Sequence, residues 1–149
     1  AWYIEAQLKS FRSGMRGTAE GDTAGAQMRA MALTLTDEQI TELASFISGL
    51  DAPKAKPTLK GKVKAGETKY LMCMGCHGVN GEGNKAILSP SLVGQQDWYI
   101  VASLKKFKEG HRGYDPKDVA GAQMKAVAPQ LSEEDMNNLA AYIMTPVPF

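Results

Sequence analysis

Only two cysteines occur among the 149 residues, Cys73 and Cys76, which excludes a framework of several disulfides. No apolar run approaches the roughly 18–20 residues that cross a bilayer as a helix, so no membrane span is expected. The chain does not open on a basic-then-apolar targeting segment, but a mature exported chain has lost its leader, so compartment stays open. Charge of one sign is lacking: 17 Lys and Arg stand against 16 Asp and Glu, for a net charge of +1. Nucleic-acid binding needs a clustered positive excess and is not expected. The balance is uneven along the chain, with four basic and six acidic side chains in residues 1–50 and thirteen and ten in the remainder. Such a modest dipole can orient a protein partner. Strand-like alternation is nearly absent, so an all-helical fold is expected.

The two cysteines stand in the run Cys73-Met74-Gly75-Cys76-His77. Two thiols three apart with an imidazole immediately after is the attachment pattern of c-type haem. Each thiol can add across one vinyl group, and His77 is then placed by the chain itself to ligate the iron. The competing readings are a chance CxxC or a thioredoxin-like redox pair. A redox pair has no use for the adjacent histidine and follows a strand, so the haem reading is preferred. Thioether formation uses both thiols, and no disulfide is expected.

The chain also repeats itself at an offset of 96 residues. Trp2-Tyr3-Ile4 returns as Trp98-Tyr99-Ile100, Gly14-x-Arg16-Gly17 as Gly110-x-Arg112-Gly113, and Ala24-Gly25-Ala26-Gln27-Met28 as Ala120-Gly121-Ala122-Gln123-Met124. Nearly half the positions match without a gap, where composition alone gives about one in fifteen to one in twenty. The period is too long and the copies too few for a solenoid, so tandem domains are the natural reading. The counterpart of Cys73 would lie 23 positions before Ala1. Residues 1–50 therefore read as the C-terminal half of a first domain, residues 51–65 as a linker and residues 66–149 as a complete second domain. The linker holds Pro53, Pro57 and five lysines, a composition that stays extended and solvated; a docking patch is the less favoured reading. Three origins compete for the half domain: a front half absent from this sequence, a front half supplied by another chain, or a remnant without haem. In isolation the half domain would expose Ile40, Leu43, Phe46 and Ile47, so a complementing chain or upstream fragment is expected to pack there.

Helices are predicted from Gly66 to about Cys73, from Asp97 to Glu109 with Gly110 as terminator, as one or two turns within 116–127, and from Ser132 onward. Tyr99 or Ile100, Leu104 and Phe107 should form the buried side of the second of these. Ser132 and Asp135 make a loose capping box, matched by Thr36 and Gln39 in the first copy. Residues 78–96, with Gly78, Gly81, Gly83, Pro90 and Gly94, read as loop. A domain of about 85 residues built from short helices has a small core, which a covalently held haem would enlarge.

The second axial position must be filled from well downstream of His77. Met124 is preferred because it is duplicated as Met28, lies in a loop-rich stretch and stands near a turn-like glycine. Gap-filling in the core is the ordinary role of a methionine and is the alternative. His111 competes, but it lies between Gly110 and Arg112 in what reads as an exposed turn, and its counterpart is Met15. The stretch from Leu88 to Leu92 is the expected source of a carbonyl for the other nitrogen of His77.

Taken together, Gly66 to Tyr70, Cys73-x-x-Cys76-His77-Gly78, Pro90-x-Leu92-x-Gly94-Gln95, Met124 and Leu131-Ser132-x-x-Asp135 resemble a class I cytochrome c. More closely they are similar to the tandem-domain, diheme cytochrome c4 family. The resemblance implies an all-α cytochrome c fold, complete once and half present a second time. It implies one haem c attached at Cys73 and Cys76, ligated by His77 and Met124, with the Pro90 carbonyl accepting from His77. A second haem, ligated by Met28, is implied where the matching front half is present. Gly66 and Tyr70 would sit where the first helix of the domain crosses the last, near Tyr142. The resemblance further implies a periplasmic carrier without enzymatic chemistry, passing single electrons from a quinol-oxidising complex to a terminal oxidase or reductase through transient contacts with redox partners. The alternatives are an electron-entry domain of a larger oxidase subunit and, less favoured, a haem peroxidase, which needs an open sixth position.

Overall fold

The computed structural model describes residues 1–51 and 54–145. Pro53, assigned above to the linker, and the last four residues of the second domain lie outside the described residues. The fold is all-helical: α1 (Trp2–Ser13), α2 (Thr23–Ala32), α3 (Asp37–Ser48), α4 (Val63–Tyr70), the single turn α5 (Met74–His77), α6 (Asp97–Lys108), α7 (Val119–Val127) and α8 (Glu133–Ile143). Short 3-10 turns occupy Lys85–Ile87, inside the stretch read as loop, and Ala128–Gln130. Extended pairing among the described residues is confined to one bridge between Asn84 and Ser89.

The chain divides into two compact units that do not follow the repeat. One comprises Ala1–Ala52 with Phe107–Lys125, the other Pro53–Lys106 with Ala126–Phe149. In the second unit α4 lies against α8. Tyr70, Ile100, Val101, Leu131, Met136, Leu139 and Ala140 form its core, with Cys73, Leu92, Leu104 and Tyr142 packed around it. The inner side of α6 thus carries Ile100 and Val101, while Tyr99 and Trp98 are exposed. Gly66 lets α4 approach: a Cβ there would lie 1.9 Å from the Asn138 carbonyl oxygen and 2.8 Å from Tyr142 Cβ. One turn later the rings of Tyr70 and Tyr142 stand 5.3 Å apart. The linker is solvated yet tethered. Asp97, 1% exposed, accepts from the backbone N–H groups of Thr58 and Leu59 and from the Thr58 hydroxyl.

In the first unit α1 packs on α2 and α3, burying Phe11, Ala32, Ile40 and Ala44. The expectation that Ile40 would be exposed is corrected: in the folded chain it is fully buried. Leu43, Phe46 and Ile47 do face solvent, Phe46 at 66% exposure. The equivalent positions in the second copy are Leu139, Tyr142 and Ile143, on the helix that α4 covers.

The duplicated residues build duplicated devices. The Arg16 guanidinium lies over the Phe11 ring at 4.2 Å, and Arg112 over Phe107 at 4.3 Å. Asp22 caps α2 by accepting from Gly25 N–H at 2.9 Å, and Asp118 accepts from Gly121 N–H at 2.8 Å. Capping boxes open both α3 and α8. At α8 the box closes although aspartate is the shorter side chain: Asp135 N–H donates to Ser132 Oγ and Ser132 N–H to Asp135 Oδ2, each at 3.0 Å.

Candidate haem site

Helix α4 starts three residues earlier than its sequence signals indicated and ends at Tyr70, where the chain turns into α5. The His77 N–H donates to the Cys73 carbonyl at 2.9 Å, closing one helical turn. Helical spacing of three and four residues brings Cys76 and His77 round to the side of Cys73. Cys73 is half-buried, Cys76 exposed and His77 buried at 6% exposure, so the turn has one end in the core and one at the surface. The turn is anchored from α4 as well, because Tyr70 Oη donates to the Gly78 carbonyl at 2.8 Å. That hydroxyl contact carried no sequence signal beyond the position of Tyr70 in the α4 pattern.

The loop after Gly78 folds back over His77. Gly83 N–H donates to the His77 carbonyl and Leu92 N–H to the Gly81 carbonyl, both at 2.7 Å. Gly83 passes so close to the returning chain that a Cβ would fall 2.5 Å from Ser91 N. This closeness brings the Pro90 carbonyl oxygen to 2.9 Å from His77 Nδ1, with Ser89 Oγ at 3.2 Å. A carbonyl only accepts, so Nδ1 carries the proton and the lone pair of the neutral ring is on Nε2. Burial holds the His77 pKa below its usual value, with the bond to Pro90 opposing it, which favours the neutral ring that a metal requires. Burial, then the neighbouring Cys76, pushes the Cys73 thiol up to about 11, and burial pushes the Tyr70 phenol up to about 12. No disulfide joins the two cysteines. A fixed imidazole with Nε2 available, beside two thiols on the same turn, is a donor set that fits haem c.

Met124 is half-buried on α7, within the stretch where one or two helical turns were expected, and Met28 is exposed on α2; both belong to the first unit. His111 is half-buried, not exposed, with Nδ1 3.6 Å from Glu109. Among the described residues no helix is long and apolar enough to cross a membrane.

The family model for cytochrome c matches residues 63–146. Cytochrome c4 of Azotobacter vinelandii is 30% identical over 156 aligned residues, covering 95% of this chain and 70% of that protein. Cytochrome c-554(548) of Halomonas halodenitrificans is 39% identical over 82 residues, 55% of this chain but 93% of its own length. The solved structure of Acidithiobacillus ferrooxidans cytochrome c4 superposes with a TM-score of 0.77 at 28% identity, over 95% of this chain and 81% of that one.

Proposed function

Because the chain belongs to the cytochrome c family and is a cytochrome c4-like electron-transfer protein with covalently bound haem c, we propose that Cys73, Cys76, His77 and Met124 hold that haem and that the chain shuttles single electrons in the periplasm. The haem supplies the one-electron iron couple. Cys73 and Cys76 would anchor it through thioether links, and His77 Nε2 would ligate its iron. Pro90 keeps the ring in the ligating tautomer; this 2.9 Å hydrogen bond is the observation that carries the reading. Met124 would supply the second iron ligand, and a thioether there would raise the potential and leave no site open for peroxidase chemistry. Residues 1–50 are the C-terminal half of a further cytochrome copy, in which Met28 has the role of Met124. A segment equivalent to α4, packed on Leu43, Phe46 and Ile47, completes that copy. Electrons arrive from a quinol-oxidising complex and leave to a terminal oxidase or reductase. The contacts are small and short-lived, as is usual between redox partners.

The test is Met124→Ala in the haem-loaded chain. Covalent haem is retained, the potential falls and the ferric iron binds added cyanide. An unchanged potential with no cyanide binding removes Met124 from the iron.

A further inference from the structure

Position 18 and position 114 are equivalents in the repeat, 96 residues apart, and they touch each other. Thr18 Oγ1 and Tyr114 Oη are 2.8 Å apart, Thr18 N–H donates to Tyr114 Oη at 3.2 Å, and Tyr114 Oη donates to the Gly14 carbonyl at 3.2 Å. Beside them Arg112 Nη2 donates to Tyr3 Oη at 3.3 Å. All these residues belong to the first unit. At this contact the copies differ, with a long phenol facing a short hydroxyl, so one side chain can span to the other copy's loop.

Each member of the pair is joined directly to a methionine-bearing helix. Gly113, which precedes Tyr114, has φ +71 and packs so tightly on α7 that a Cβ would lie 2.2 Å from the Gly121 carbonyl oxygen. Gly17, which precedes Thr18, has φ +82 and stands 2.3 Å by the same measure from the Gly25 carbonyl oxygen on α2. Met124 follows Gly121 by three residues, and Met28 follows Gly25 by three. Close-packed backbone transmits displacement rather than absorbing it. A displacement of α7 that carries Met124 with it is passed to Gly113 and Tyr114 and strains the contact to Thr18 and Gly14.

We propose that the Tyr114–Thr18 junction couples the two methionine-bearing helices, so that retention of Met124 on its iron depends on hydrogen bonds to the other repeat. This rests on the reading of Met124 as an axial ligand. Tyr114 is a positioning residue here, acting through Gly113 and α7.

Imidazole, which must displace the methionine to bind ferric iron, is the probe, titrated into the haem-loaded full chain and read in its visible spectrum. Tyr114→Phe keeps the ring and removes the hydroxyl. One neutral hydrogen bond lost from the methionine-bound state only raises the imidazole affinity about three- to tenfold. Thr18→Val shifts it in the same direction, and the double variant falls short of the product of the two single effects. Ser132→Ala, which removes the cap of α8 and touches neither Tyr114 nor Thr18, leaves imidazole affinity at the parental value. If Tyr114→Phe binds imidazole as the parent does while Met124→Ala binds it tightly, the coupling is refuted and the ligand assignment stands. If Met124→Ala also behaves as the parent, the ligand assignment fails and the coupling with it. A rise with Ser132→Ala equal to that with Tyr114→Phe would assign the effect to general loss of stability and overturn the coupling.

Discussion

Gly66→Ala sets two effects of opposite sign against each other, and the packing of α4 on α8 decides between them. In an isolated helix the change is favourable by about 1 kcal/mol, because alanine loses less backbone freedom on folding. Here the new methyl would lie 1.9 Å from the Asn138 carbonyl oxygen and 2.6 Å from its carbon. Both belong to the backbone of α8, so no side chain can rotate away, and α4 must lift by about 1.5 Å to reach ordinary contact distance. Lifting it stretches the 2.7 Å bond from Lys62 N–H to Asn138 Oδ1 and parts Tyr70 from Tyr142. Overpacking of this kind costs about 1–3 kcal/mol; the hydrogen bond adds about 1. The net expectation is a loss of about 1–3 kcal/mol after the helix gain is subtracted. Urea unfolding of the haem-loaded protein, followed by helical circular dichroism, should show the midpoint of the unit containing α4 and α8 falling by about 1 M. A midpoint that rises, as propensity alone requires, would refute the account of this crossing.

Two further substitutions test the frame around the site. Asp97 is pushed up by burial, but its hydrogen bonds from Leu59, Thr58 and Trp98 outweigh this and leave its pKa lowered. Its stabilising contribution is therefore complete above the unfolded carboxylate value of about 3.9 and is lost as pH falls through the lower folded value. Asp97→Asn should lower the urea midpoint at neutral pH, with the gap to the parent closing under acid; a gap independent of pH contradicts this. Ser132→Ala removes the acceptor for Asp135 N–H and should cost about 1 kcal/mol in the same assay, and an unchanged midpoint would mean the capping box contributes nothing.

The duplication was legible without coordinates, and so were the Cys-x-x-Cys-His run and both capping boxes, because each is written in adjacent residues or at a fixed spacing. The five-residue run from Cys73 to His77 needs only one helical turn to bring its thiols and imidazole together. Helix extents were less legible. The segment from Val63 to Ala65 carries no start signal of its own and became helical because α8 offers backbone for α4 to lie on. Helix α7 runs to nine residues, against the one or two turns expected within 116–127.

The sequence by itself determined that two thiols and an imidazole share one helical turn, since their order and spacing along the chain dictate it. Tertiary structure alone decided which nitrogen of His77 is free. Pro90 is 13 residues away, and only the close passage of Gly83 against Ser91 brings its carbonyl within hydrogen-bond reach. The burial of Ile40 and the meeting of Thr18 with Tyr114 were decided in the same way, by packing between segments distant in the chain. No local pattern encodes such contacts, because their energy comes from surfaces that exist only after both segments have folded.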